Sequence, residues 1–336
     1  MRKCHFFLII IIWLFVMNFS LLYLSGEKTT SLSTDNSFME MNHFKNSNKI
    51  KSYVEHTPIL IDSNADFVSL GFPGNGTQVS PYIIQNMNIT STGMFNAGIK
   101  ISLVTAYFMI RDCFITSEYI GIQLKDQIPI GRAKILNNIC ISSNGDGGGI
   151  VLSNANGSNI TGNRCTNFIS GIHLNDADSN IIDNNTILSN NYQGINLRLS
   201  NSNIVTNNVI QDTEQHGIAL VVSSSNNKVH HNLLINNSKA ETYTIDDERT
   251  GTINSQGYDE GTNNIWYDIE EKFGNRWSDY SGSDFYSIDG PANSEDIYPY
   301  DLTNTNTGSI PLSIIISLIA TANIGLILIK KKKSEN

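Results

Sequence analysis

Four of the seven histidines, three of the four cysteines and a knot of aspartates are the side chains in this 336-residue sequence that could do chemistry together. His173, His216, His230 and His231, with Cys140 and Cys165, are ligands of the kind a soft or borderline transition metal takes. The four histidines fall at different positions of a sequence repeat, while the two cysteines share one. His230 and His231 are neighbours on an expected strand, so their rings should point to opposite faces. Three soft ligands therefore do not converge, and no metal site is expected. Asp176, Asp178 and Asp183 crowd one turn, but glycoside hydrolysis needs two carboxylates at a defined separation. No Arg or Lys stands in register with them, and turns favour Asp for its own hydrogen bonding. No nucleophile motif and no nucleotide-binding glycine loop occur. No residue is assigned a catalytic, cofactor-binding or metal-binding role.

The elements that carry these side chains come from a repeated phrase, Gly-Ile-x-Leu. It starts at Gly98, Gly121, Gly149, Gly171, Gly194 and Gly217, in steps of 23, 28, 22, 23 and 23 residues. Apolar residues flank a variable one (Lys100, Gln123, Val151, His173, Asn196, Ala219), the alternation of a strand with one buried face. No helical period runs through any repeat. A second limb reads Arg111-Asp112, Asn137-Asn138, Gly162-Asn163, Asn184-Asn185, Asn207-Asn208 and His231-Asn232. Apolar residues precede its second member by three (Met109, Ile135, Ile160, Ile182, Val205, Val229). Others follow it by two (Phe114, Cys140, Cys165, Ile187, Ile210, Leu234). Two or three short strands in about 22–25 residues make one coil of a parallel β-helix. Equivalent residues then stack about 4.8 Å apart. Asn138, Asn163, Asn185, Asn208 and Asn232 should form a structural ladder of turn amides. The glycines should mark corners. Cys140 and Cys165 should be inward neighbours, whether packed thiols, a disulfide or a soft-metal pair, and Cys113, one residue off that register, should face outward. The long step between Gly121 and Gly149 holds extra corner residues, 125–129 or 144–148, on what should be a binding side.

The ends read differently. Residues 1–26 carry an apolar run after Arg2-Lys3 and form a signal peptide or signal anchor. Residues 27–55 are polar and read as a disordered tether. The repeats occupy 56–253, a capping segment 254–302 and a linker 303–309. Residues 310–329 are apolar and about 30 Å long as a helix, enough to cross a bilayer. The tail 330–336 opens with four lysines, which places it on the cytoplasmic side and the repeats outside. The chain would thus be single-pass, or two-pass if the N-terminal segment stays. A net charge of −9 disfavours nucleic acid as a partner. Acceptor sequences for N-glycosylation stand at Asn75, Asn88, Asn156, Asn159, Asn184 and Asn236.

Several segments together resemble a known family. The repeats are similar to the right-handed parallel β-helix repeats of the NosD-like family. So are 58–61 (Pro-Ile-Leu-Ile), 72–77 (Phe-Pro-Gly-Asn-Gly-Thr) and 81–84 (Pro-Tyr-Ile-Ile). The closing segment 274–280 (Gly-Asn-Arg-Trp-Ser-Asp-Tyr), followed by Tyr298-Pro299, resembles that of archaeal membrane-anchored surface members. The resemblance spans about residues 56–302. It implies an all-β, right-handed parallel β-helix flanked by membrane segments. It also implies copper binding, or carbohydrate binding and sugar hydrolysis. Relatives often carry an Asp/Gly run that suggests calcium. Here 281–290 lacks the alternating oxygen ligands of a calcium loop. Trp266, Phe273 and Trp277 should cover the last coil.

The function expected is a membrane-anchored extracellular surface module that recognises glycans or other surface proteins, or serves structurally, without catalysis. The alternatives are a polysaccharide lyase or glycoside hydrolase, and a copper-handling accessory protein.

Overall fold

The computed structural model describes residues 52–301, apart from 127, 246–248 and 283. The chain winds as a parallel β-solenoid. Each coil places one strand in each of three sheets. The first sheet has ten strands, from Val54–His56 to Tyr300–Asp301. The second has eight, from Ile59–Ile61 to Gly257–Asp259, and carries the Gly-Ile-x-Leu phrases. The third has seven, from Tyr82–Gln85 to Lys228–His230. Six successive coils run without interruption from Tyr82 to Val221. All-β, parallel and solenoidal is the architecture the period anticipated. The solenoid starts at Val54, inside the stretch expected to be a tether. It also runs through the expected capping segment, where Arg276–Trp277 extends the first sheet.

Inside, like residues stack. Ile150, Ile172, Ile195 and Ile218 are partners along the second sheet, as are Leu152, Leu174, Leu197 and Leu220. All are buried. Cys140 pairs with Cys165 in the first sheet, and both are buried free thiols. The hydrogen bond with Cys165, and then burial, push the Cys140 thiol well up, so it stays protonated.

The ladder asparagines each accept from the coil before. Asn163 N–H donates to Asn185 Oδ1 at 2.8 Å, and Asn185 N–H to Asn208 Oδ1 at 2.9 Å. Each amide nitrogen also donates to a main-chain carbonyl, as Asn185 Nδ2 does to Ile160 O at 2.9 Å. The stack runs Asn138, Asn163, Asn185, Asn208, Asn232 and on to Asn275. A second ladder, Asn180, Asn203, Asn227 and Asn264, does the same at another corner. The sequence reading missed it, although these asparagines also recur at one repeat position.

Three expectations need correction. Cys113 is buried, not outward, because it fills the ladder position below Asn138: its N–H donates to Asn138 Oδ1 at 3.0 Å. Without an Asn in that coil the alignment slipped by one residue, so Ile110 rather than Met109 partners Ile135. Likewise Ile115, not Phe114, partners Cys140. Gly98, Gly121, Gly149 and Gly171 lie within strands, Gly194 and Gly217 just before theirs, and none of the six has positive φ. They are glycine because coils touch there: a Cβ on Gly149 would sit 2.5 Å from Gly171 O and 2.7 Å from Cys165 Sγ.

Both ends are closed by aromatic rings. The helix Asn64–Ser69 brings Phe67 onto Tyr82 and Phe108, with ring centroids 4.6 and 5.7 Å apart. At the other end Trp266 and Trp277 are fully buried, and their indole N–H groups donate to Asp259 and Asp296. Burial pushes the Asp296 carboxyl up to about 6, against the pull of its N–H donors. Phe273 is partly buried, its ring stacked on His231 at 4.4 Å and on Tyr300 at 3.9 Å. No helix among the described residues is long and apolar enough to cross a membrane, and segments 6–24 and 310–329 lie outside those residues.

Candidate functional site

The outer face of the second sheet is where the coils leave a groove of about 320 Å³, lined by residues from Tyr119 to Asn196. That is the low end of the roughly 300–1,000 Å³ typical of small-molecule sites. The floor is the variable position of the repeat, because alternate strand residues point out. Val151, His173 and Asn196 stand side by side there, one per coil. A second row, the residue before each phrase glycine, supplies Gly148 and Ser170; the next in that row, Gln193, is fully buried. Tyr119, Ile169 and Tyr192 wall it from the corners. The long step in the repeat matters here. Its corner turn brings Gly147 and Gly148 to the groove, tied by Gly148 N–H to Tyr119 O at 3.0 Å and by Asn191 Nδ2 to Gly145 O at 2.8 Å.

The polar groups of this groove are incompletely satisfied. Asn196 is 8% exposed and donates through Nδ2 to Gln193 Oε1 at 2.8 Å. Its own Oδ1 has no partner, and neither does Gln193 Nε2. Both atoms are buried, Asn196 at the groove and Gln193 beneath it, and a buried polar atom without a partner costs about 1–3 kcal/mol. His173 is half-buried. Burial, and then the Arg198 guanidinium, push its pKa down to about 4. At neutral pH its ring is therefore uncharged, with one nitrogen donating and the other accepting. Aromatic walls with a neutral donor–acceptor floor suit a ligand rich in hydroxyls.

The other candidate side chains do not assemble into a reactive centre. Asp176 is an exposed corner residue with φ of 50°. Asp178 Oδ1 accepts Asn201 N–H at 2.6 Å, and Asp183 Oδ1 accepts Asn207 Nδ2 at 2.9 Å. These carboxylates hold neighbouring coils together rather than facing one another. Asp126 pairs with Lys125 at 2.9 Å. His216 is fully buried between Tyr243 and Tyr258, with Nε2 3.1 Å from Asp289 Oδ2. Among the acceptor asparagines, Asn75, Asn184 and Asn236 are exposed. Asn88, Asn156 and Asn159 are partly buried and bonded to Glu55, Asp178 and Thr161.

His230 and His231 depart from expectation. Their rings do not oppose each other; the two Nδ1 atoms lie 2.6 Å apart. The strand ends at His230, and His231 turns the corner with φ of 59°, which breaks the alternation. The same left-handed step recurs at Asp112, Asn137, Asn184 and Asn207. His231 Nε2 faces Glu271 at 3.0 Å, and a carboxylate only accepts, so that nitrogen carries the proton. His231 Nδ1 is then the acceptor for His230 Nδ1–H. The pair is internally satisfied. Beside it is a cavity of about 460 Å³ lined by Lys228, His230, Tyr267, Asp268 and Glu270 among others.

Copper, the ion the resemblance implies, needs three or more converging soft donors for a tight site. Among the described residues no group of three His, Cys, Asp or Glu is placed to hold a metal. Two nitrogens committed to each other, and two free cysteines sealed in the core, do not fit it. Calorimetric titration with Cu²⁺ should show no stoichiometric sub-micromolar site. Tight binding lost on His230→Ala would overturn this.

The family model described as periplasmic copper-binding protein (NosD) matches residues 58–282. No curated protein sequence matches the chain. The solved structures with slight likeness include two trypsin-treated variants of QnrB1, a plasmid-mediated fluoroquinolone resistance protein. One is 12% identical, with a TM-score of 0.20 over 66% of this chain and 93% of that one. The other is 13% identical, with a TM-score of 0.14 over 56% of this chain and 92% of that one. Values this low bear on neither fold nor activity.

Proposed function

Since this chain belongs to the periplasmic copper-binding protein (NosD) family, we propose that it works outside the cytoplasm as a β-helix that recognises a carbohydrate without cleaving it. The observation that carries this reading is the groove between Tyr119 and Tyr192. Its lining side chains Ser170, Asn196 and the neutral His173 are the donors and acceptors that sugar hydroxyls satisfy. Tyrosines pack well against the apolar face of a sugar ring while keeping a polar edge. Binding without turnover is supported by the acids nearby, which are engaged in corner hydrogen bonds and do not flank the groove as a pair. The apolar segment 310–329, followed by four lysines, would anchor the domain at the membrane surface, with glycans or neighbouring surface proteins as partners.

The test is a glycan array probed with the full chain purified in detergent. At least one glycan class should bind, and Asn196→Ala should weaken it about tenfold by removing the acceptor. Incubation with the same glycans should release no new reducing ends and no unsaturated products. Reproducible cleavage abolished in Asp126→Asn or Asp178→Asn would replace this reading with an enzymatic one. An array without any binding would remove it.

A further inference from the structure

The charge on the groove's sheet points to a narrower ligand class. The chain is acidic, with 31 Asp and Glu against 22 Lys and Arg. Yet three cations stand on the outer face of the second sheet. Lys100 occupies the variable position of its phrase, in line with Gln123, Val151, His173 and Asn196. Two residues further along each strand is a parallel row in which Ser102 partners Lys125, and Ser153, Asn175 and Arg198 partner in turn. No Asp or Glu occupies any of these positions from Lys100 to Arg198.

The pairing state of these cations is informative. Among the described residues no carboxylate lies within ion-pair distance of Lys100 or Arg198. Arg198 is instead held by a hydrogen bond to Asn175 Oδ1 at 3.2 Å, which keeps its guanidinium over the sheet beside His173. Lys125 does pair with Asp126, but both side chains are a third or more exposed. Such surface pairs contribute only about 0–1 kcal/mol and give way easily to another anion. In an acidic protein, unpaired cations on one face create a local field that attracts anions.

We infer that the ligand of this groove is a linear anionic polysaccharide lying along the solenoid axis, with its acid groups held by Lys100, Lys125 and Arg198. Lys100 and Lys125 belong to adjacent coils. Arg198 is three coil steps beyond Lys125, about 14 Å at the usual strand spacing. Between them lie only uncharged groups: Gln123, Ser153, His173, Asn175 and Asn196. The depressed pKa of His173 fits this arrangement, since Arg198 already supplies the charge there. A chain running across the coils would place one polar floor residue under each successive ring, with the groove between the tyrosines taking one ring. This rests on the carbohydrate reading of the groove.

The experiment compares dextran, carboxymethyl-dextran and dextran sulfate, which share one backbone, with single-stranded DNA as a non-sugar polyanion, all against the detergent-purified full chain. One or both acidic dextrans should bind at least about tenfold more tightly than dextran. That preference should fade between about 50 mM and 500 mM salt, as screening shortens the reach of the cations. Which of the two binds better tells carboxylate from sulfate. Lys100→Gln and Arg198→Gln should remove the acidic preference, whereas Asn196→Ala should weaken all three dextrans alike. The salt series needs no variant, so it decides even if a substitution fails to fold. Equal binding of neutral and acidic dextrans would overturn the anionic inference and leave the carbohydrate reading standing. DNA bound as tightly as the acidic dextrans would also overturn it, as a non-specific polyanion effect. No dextran binding, together with an empty glycan array, would overturn both.

Discussion

Val205→Asp is expected to unfold the solenoid. Val205 is fully buried, stacked between Ile182 and Val229 of the neighbouring coils. Asn232 Nδ2 already bonds its carbonyl at 2.9 Å, and the surrounding side chains are apolar. A carboxylate there would have no donor and no counter-charge, at a cost of about 4 kcal/mol or more. The next residue supplies the control. Thr206 points outward in a row with Asp183 and His230. Thr206→Asp should cost under about 1 kcal/mol, including some repulsion from Asp183. Urea denaturation followed by tryptophan fluorescence would measure both, since Trp266 and Trp277 are buried in the closing coils. Similar midpoints for the two variants would contradict the observed register.

The second large effect concerns a pair of adjacent glycines. A Cβ on Gly149 would meet Gly171 O at 2.5 Å, and Cys165 Cβ and Sγ at 2.7 Å. Backbone of the next coil cannot retreat without prising the stack apart, so Gly149→Ala should cost about 3 kcal/mol or more. A Cβ on Gly148 would meet Val151 Cγ2 at 2.5 Å, the end of a side chain facing an open groove. Rotation of Val151 relieves that contact, so Gly148→Ala should cost about 1 kcal/mol. The same denaturation series checks this. If Gly149→Ala were as mild as Gly148→Ala, close contact between coils would not explain the glycine at each phrase.

These two cases differ in how far sequence alone reaches. The inward position of Val205 could be read directly, because an alternating strand repeated at a fixed period reports its buried face in every coil. The glycines could be located but not explained. A turn residue and a residue at van der Waals contact with the next coil look the same in sequence, and only the absence of positive φ separates them. Cys113 shows a related limit. Its coil has no Asn to index the repeat, so nothing local marked it as the residue whose N–H donates into the ladder.

The solenoid, its inward isoleucine and leucine stacks, and the first asparagine ladder were all legible in the order of residues. In a stack of like coils each residue meets its own equivalent, so a one-dimensional repeat already encodes the three-dimensional neighbour. Whatever depends on unlike neighbours had to wait for the folded chain. The groove joins Tyr119, Gly148, Ser170 and Tyr192 from successive coils and corners, and no period relates a corner tyrosine to a strand amide. The meeting of His230 with His231 follows from one left-handed corner residue, whose φ overrides the alternation that separates strand neighbours. Period fixes which residues stack. Corner geometry fixes which ones converge, and the candidate site is built at the corners.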